Sequence, residues 1–265
     1  MLPVWSFFTL FFIFIYIFRP SGFSELLSLK MIASTFMLNG FGYVWIIRVF
    51  LIIAILSPLY VFFTSRMNGY SVSILAFLMV LLSTIASMVD YYSQGKLIGH
   101  FIYDVIFPAV SYGAVFIVGY KFITFSKIEK TFLFLLFLMT IGAYLAHNYI
   151  TLHEVKGFQE YKYPPTMYYI SFSFVMIIIV NYIFDFFLKD KKLPRLILNI
   201  SANTIWIYLW HIPVVEFFHR NYPDVNFSLK YVLAVVLSIS ITLVQVSLGR
   251  KLVPNSKTMN AIFTG

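Results

Sequence analysis

Few residues of this chain could carry chemistry, and most of those lie inside long apolar stretches. Arg48 stands in Trp45-Ile46-Ile47-Arg48-Val49-Phe50, and His100 and Asp104 in Ile98-Gly99-His100-Phe101-Ile102-Tyr103-Asp104. His147 lies in Leu145-Ala146-His147-Asn148. His211 and Glu216 lie in Trp210-His211-Ile212-Pro213-Val214-Val215-Glu216, with His219 just beyond. Ionisable groups are costly to place in hydrocarbon, so each is a functional candidate by default. His100 and Asp104 are four residues apart and share a helix face. Arg48 and Asp104 fall at matching depths on different apolar segments. They could form an ion pair that glues two helices, or they could engage a substrate. A histidine can also sit in the headgroup zone, as Trp and Tyr do, with no chemical role. A neutral histidine beside a hydroxyl-bearing substrate can act as general base for acyl transfer. Nothing points to a metal: His100, His147 and His211 have no short-range ligand spacing. There is no nucleophile elbow, P-loop, dinucleotide fingerprint or His-Glu-x-x-His pattern.

The elements that must position these groups are membrane helices. Hydrophobic residues make up 61% of the 265 and charged residues only 11%, and the mean hydropathy is +0.88. A soluble domain has about 25% charged residues, so too little polar side chain is present to coat a water-facing surface. A helix needs about 20 mostly apolar residues to cross the hydrocarbon. On that basis the chain predicts about eight spans: Pro3 to Phe18 closed by Arg19-Pro20, Gly42 to Phe63, Tyr70 to Val89, Leu97 to Tyr120, Thr131 to Leu152, Thr166 to Leu188, Asn199 to Phe218 and Tyr231 to Leu248. Ser24 to Leu38 reads as a short interfacial helix, with Ser24 as N-cap and Glu25 in its first turn. With no long linker or repeat, residues 1–265 read as a single all-α, polytopic helical bundle. The first residues lack the basic start and cleavage site of a signal peptide.

The absence of cysteine removes disulfides, thiolate nucleophiles and Cys-based metal sites. The net charge of +9 needs no nucleic acid to explain it. Lys and Arg gather in loops on the side of the two termini, which places both termini in the cytoplasm. Under that topology Arg48, His100, Asp104, His147, His211, Glu216 and His219 all fall in the outer half of the bundle. The expectation is an outward-facing polar cavity, with His153 in an adjoining outer loop.

Several fragments then look familiar. Ser201-Ala202-Asn203-Thr204-Ile205-Trp206-Ile207-Tyr208-Leu209-Trp210-His211-Ile212-Pro213 closely resembles a late helix of the acyltransferase-3 family of polytopic membrane acyltransferases. Tyr43-Val44-Trp45-Ile46-Ile47-Arg48 followed by Leu56-Ser57-Pro58-Leu59 resembles another helix of that family. Lys162-Tyr163-Pro164-Pro165-Thr166-Met167-Tyr168-Tyr169-Ile170-Ser171 resembles the start of a further one, and Leu2-Pro3-Val4-Trp5 the start of the family's third span. The four fragments occur in order along the whole chain.

The resemblance implies transfer of an acyl group, acetyl above all, from acyl-CoA to a hydroxyl of a bacterial surface polysaccharide such as O-antigen, or of its lipid-linked precursor. Acyl-CoA would be a donor substrate and no bound cofactor is implied. The partners would be the lipid bilayer and the glycan, and the location the inner membrane of the cell envelope. His211 is the best-matched functional position and the implied catalytic residue, with Trp45 and Arg48 next. The substrate-binding set is then Arg48, Trp45, His100, Asp104, His147 and Glu216. Family members usually begin with two further spans, which carry an Arg followed by a His thought essential for transfer, and an Arg-x-x-Arg element before the third span. No residues here match either, so a truncated or inactive relative is one competing expectation. A non-enzymatic transporter or flippase-like protein is the other.

Overall fold

The computed structural model describes residues 2–18, 23–38, 44–89, 95–154, 157–188 and 191–252. All regular elements among them are helical. Among the described residues six helices are long and apolar enough to cross a membrane: Trp45–Thr64, Gly69–Ala86, Lys96–Thr124, Lys127–Thr151, Met167–Leu188 and Phe227–Leu252. Each matches a predicted span. The other two predicted spans are also helices but do not reach that standard. The first, α1 (Leu2–Phe18), is apolar but short. The last third of α10 (Thr204–Asn221) is polar, with Glu216, His219, Arg220 and Asn221. Arg19, Pro20, Gly42 and Tyr43, which the sequence assigns to span ends and motifs, lie outside the described residues.

The chain folds as two compact units, Ile47–Asp190 and the combination of Met1–Ile46 with Lys191–Gly265. The first contains most of α3 (Trp45–Thr64), α4 (Gly69–Ala86), α5 (Lys96–Phe101), α6 (Phe107–Lys121), α7 (Lys127–Leu152) and α8 (Met167–Leu188). Small residues let α4 and α6 approach closely: Ala76, Ser73 and Ser83 on one, Gly113, Ala114 and Ser111 on the other are all buried. The Ser111 hydroxyl bonds that of Ser83 at 2.9 Å and donates to the Pro165 carbonyl at 3.0 Å. Thr84 Oγ1 accepts the Met167 N–H at 2.7 Å. The Lys162-to-Ser171 segment is thus pinned to both helices by hydroxyls that a hydropathy profile reads as neutral. Phe137 and Phe174 meet at 4.5 Å between α7 and α8.

Among the described residues glycine is required at two contacts in this unit. A Cβ on Gly69 would lie 2.6 Å from the Glu129 side chain. A Cβ on Gly113 would lie 2.6 Å from the Tyr60 hydroxyl, which donates to the Ala109 carbonyl at 2.8 Å and ties α3 to α6. Proline inside α3 is also accommodated locally. Pro58 has no N–H for the carbonyl of Ala54, and the neighbouring Ser57 hydroxyl donates to that carbonyl instead, at 2.8 Å.

The second unit contains α1, α2 (Leu29–Phe36), α9 (Arg195–Ala202), α10 and α11 (Phe227–Leu252). The predicted interfacial helix splits into a 3-10 turn over Ser24–Leu27 and α2. The cap of α2 is Ser28, whose hydroxyl accepts the Met31 N–H at 3.3 Å. The span predicted from Asn199 to Phe218 is likewise broken, at Asn203. Its side-chain amide donates to the Asn199 carbonyl at 2.7 Å, taking the acceptor its own N–H would use in a continuous helix. That N–H bonds Ile200 O at 3.2 Å instead, so the turn tightens and the helix restarts.

Candidate functional site

Asp104 owes its position to an irregularity. Between α5 and α6 the backbone widens into a π-helical turn over Ile102–Ile106, a feature that commonly marks functional sites. Asp104 Oδ1 lies 3.0 Å from Arg48 Nη2 on α3, and Asp104 Oδ2 lies 3.6 Å from His100 Nδ1. One carboxylate therefore bridges the expected (i, i+4) histidine and the expected arginine of another helix. Arg48 and Asp104 side chains are 22% and 31% exposed, whereas His100 is 62% exposed. Arg48 and Asp104 form the firm part of the cluster, and His100 is its accessible edge.

His147, in the same unit, is not part of this cluster. It is exposed near the end of α7, and among the described residues no hydrogen bond or ion pair joins it to Arg48, His100 or Asp104. The polar residue that packs inward there is Asn148, 3% exposed, donating to the Tyr161 hydroxyl at 3.2 Å. His153 terminates α7 in a left-handed conformation (φ 53°).

In the other unit His211 sits half-buried on α10. Its Nδ1 is hydrogen-bonded to the Tyr208 carbonyl, and the two rings pack at 4.8 Å. A carbonyl only accepts, so a neutral ring that keeps this contact carries its proton on Nδ1 and its basic lone pair on Nε2. Glu216 is engaged within its own helix, by Arg220 Nε at 2.5 Å. Arg220 also faces Glu25 at 3.9 Å and the Phe23 ring at 5.4 Å, so the pair ties α10 to the turn after α1. The signal for Arg220 was present in the sequence, as an acid four residues before a base on one helix. His219 is exposed. Trp45 opens α3, half-buried.

Two features were missed by the sequence reading. Gln245, in the last third of apolar α11, accepts the Trp210 Nε1–H at 2.6 Å. Its signal was a lone carboxamide in a membrane span. A cavity of about 470 Å³ opens beside that pair, between α1, α10 and α11, and no local pattern announces it. Among the described residues no group of three or more His, Asp and Glu could hold a metal ion.

The profile of a protein family described as an acyltransferase domain matches residues 1–245. No curated protein and no solved structure matches the chain.

Proposed function

The chain belongs to the acyltransferase-3 family and is a membrane acyltransferase, and from that premise we propose that it moves an acyl group from acyl-CoA, acetyl in the simplest case, to a hydroxyl of a cell-surface glycan or its lipid-linked precursor. The observation that carries this reading is the state of His211. With Nδ1–H held by the Tyr208 carbonyl, Nε2 is the basic atom and the ring is fixed in orientation. Nε2 takes the proton of the acceptor hydroxyl as its oxygen attacks the thioester carbonyl. The C–O bond forms and the C–S bond breaks. The departing thiolate then receives a proton from the imidazolium, which restores the neutral ring. The Arg48–Asp104–His100 cluster is the second polar element of the reading, with Arg48 holding an anionic group of donor or acceptor. The same reading puts the protein in a bacterial inner membrane with both termini cytoplasmic, supported by the gathering of Lys and Arg in the loops on that side.

The test is transfer of label from [acetyl-14C]acetyl-CoA to envelope glycan by purified protein in nanodiscs, read as base-labile label on the glycan. His211→Gln is expected to lower the rate by about 10²- to 10⁴-fold, the range for removing a general base. Unchanged transfer in that variant would remove His211 from the mechanism. No transfer by the native chain with any glycan fraction would sink the proposed reaction.

A further inference from the structure

The cavity between α1, α10 and α11 is lined by none of the residues assigned to acyl transfer. Phe7, Phe11 and Phe14 form one wall and Trp206, Trp210 and Pro213 the other. Both sets are positions i, i+4 and i+7 of a helix, so each wall is a single stripe along a helix face. Seven residues at about 1.5 Å rise make a slot about 10 Å long, running along the helix axes. Its rings are braced edge to face: Phe7 meets Trp210 at 5.3 Å and 87°, and Trp206 at 6.3 Å and 67°. Rings locked in this way cannot fold into the gap between them, so the slot is held open.

The carboxamide in the lining, Gln245, already accepts from Trp210. What the slot offers is therefore an apolar space of about 470 Å³, within the roughly 300–1,000 Å³ of small-molecule sites. Apolar cavities stay dry and accept hydrocarbon. Leu10 and Phe14, on its α1 side, are 59% and 52% exposed, so the slot opens sideways, toward the hydrocarbon of the membrane. Trp206 is 3% exposed, and its buried Nε1 has no acceptor among the described residues.

We propose that this slot holds the hydrocarbon tail of a lipid-linked acceptor, so that the glycan is acylated while still on its lipid and not as finished polysaccharide. The proposal rests on the acyl-transfer reading above and selects between its two acceptors. A slot along the helix axes, open to the bilayer, suits a chain that already lies along the bilayer normal. A tail-free polysaccharide has nothing to place there.

The experiment uses the full chain in phosphatidylcholine nanodiscs and a dodecyl glucoside with a diazirine in its chain. Photolabelling is expected to saturate, to map to peptides of α1 and α10, and to be displaced by dodecyl glucoside but not by methyl glucoside. Leu10→Trp fills the slot and should raise the half-saturating concentration about tenfold or more, the equivalent of at least one lost packing contact of a buried chain. Leu237→Trp on α11, which does not line the slot, should leave it unchanged. If Leu10→Trp does not fold, Phe14→Trp fills the same slot from its other end, and saturation and competition in the native chain decide in any case. Label that does not saturate, or that spreads over α3 and α8 equally, means bulk lipid contact only and overturns the proposal. Acylation of a tail-free glycan as fast as of the lipid-linked form also overturns it while leaving acyl transfer standing. Saturable labelling with no acylation of any acceptor overturns the transfer reading, and with it the identity of the tail as an acceptor's.

Discussion

The Arg48–Asp104 contact should be measurable as a coupling energy. At 3.0 Å and an effective dielectric of about 20, two unit charges attract by about 5 kcal/mol. The side chains are 22% and 31% exposed, so each has lost much of its hydration, and that cost offsets a large part of the attraction. A net coupling of about 1–3 kcal/mol remains, the range for contacting charged pairs. Asp104→Asn keeps the side-chain shape and removes the charge. It leaves a guanidinium at membrane depth without this carboxylate, a loss of about 3 kcal/mol. Arg48→Met strands the carboxylate in the same way. The double variant should therefore be more stable than the sum of the two single losses predicts, by the coupling energy. Reversible unfolding in mixed micelles, with denaturing detergent as the variable, reads all four corners of the cycle. His100, at 3.6 Å and 62% exposed, should couple to Asp104 by less than about 0.5 kcal/mol, as surface pairs do. Additive single losses, within about 0.5 kcal/mol, would refute the argument that the π-turn positions Asp104 to compensate Arg48.

Other variants probe the contacts that hold the first unit together. Gly113→Ala places a methyl 2.6 Å from the Tyr60 hydroxyl and should cost about 1–3 kcal/mol by overpacking. Tyr60→Phe in the same chain should recover part of that loss in the same unfolding assay. Ser57→Ala leaves the Ala54 carbonyl without the hydroxyl that replaces the missing Pro58 N–H, and should cost about 1–3 kcal/mol. Glu129→Ala removes a carboxylate that accepts the Gly69 N–H at 2.7 Å and the Ser126 N–H at 2.8 Å. Because it bridges the starts of α4 and α7, the loss should be about 1.5–3 kcal/mol, with faster amide exchange at Gly69.

Span existence was legible because it depends on composition over about 20 residues, which a linear scan measures directly. The His100–Asp104 pairing was legible for a similar reason, since helical spacing fixes neighbours four residues apart. The break at Asn203 was missed because it depends on one amide turning back to a carbonyl four residues earlier, which hydropathy does not register. The site was legible in its residue types and only partly in its grouping. Arg48, His100 and Asp104 come together as their depths implied, while Glu216 is taken up by Arg220 and His147 stands apart on an exposed face.

What this sequence determines by itself is its solvent and its family. Sixty-one per cent hydrophobic residues commit the chain to a bilayer, and local motifs in order along it mark an acyltransferase. What only the tertiary structure decided is which distant groups meet. The Arg48–Asp104 contact crosses 56 positions and forms where the backbone makes a π-turn. The aromatic slot needs α1 beside α10, nearly two hundred residues later. Periodicity fixes which face of a helix a residue occupies, but the partner of that face is set by packing between helices, and no local spacing encodes it.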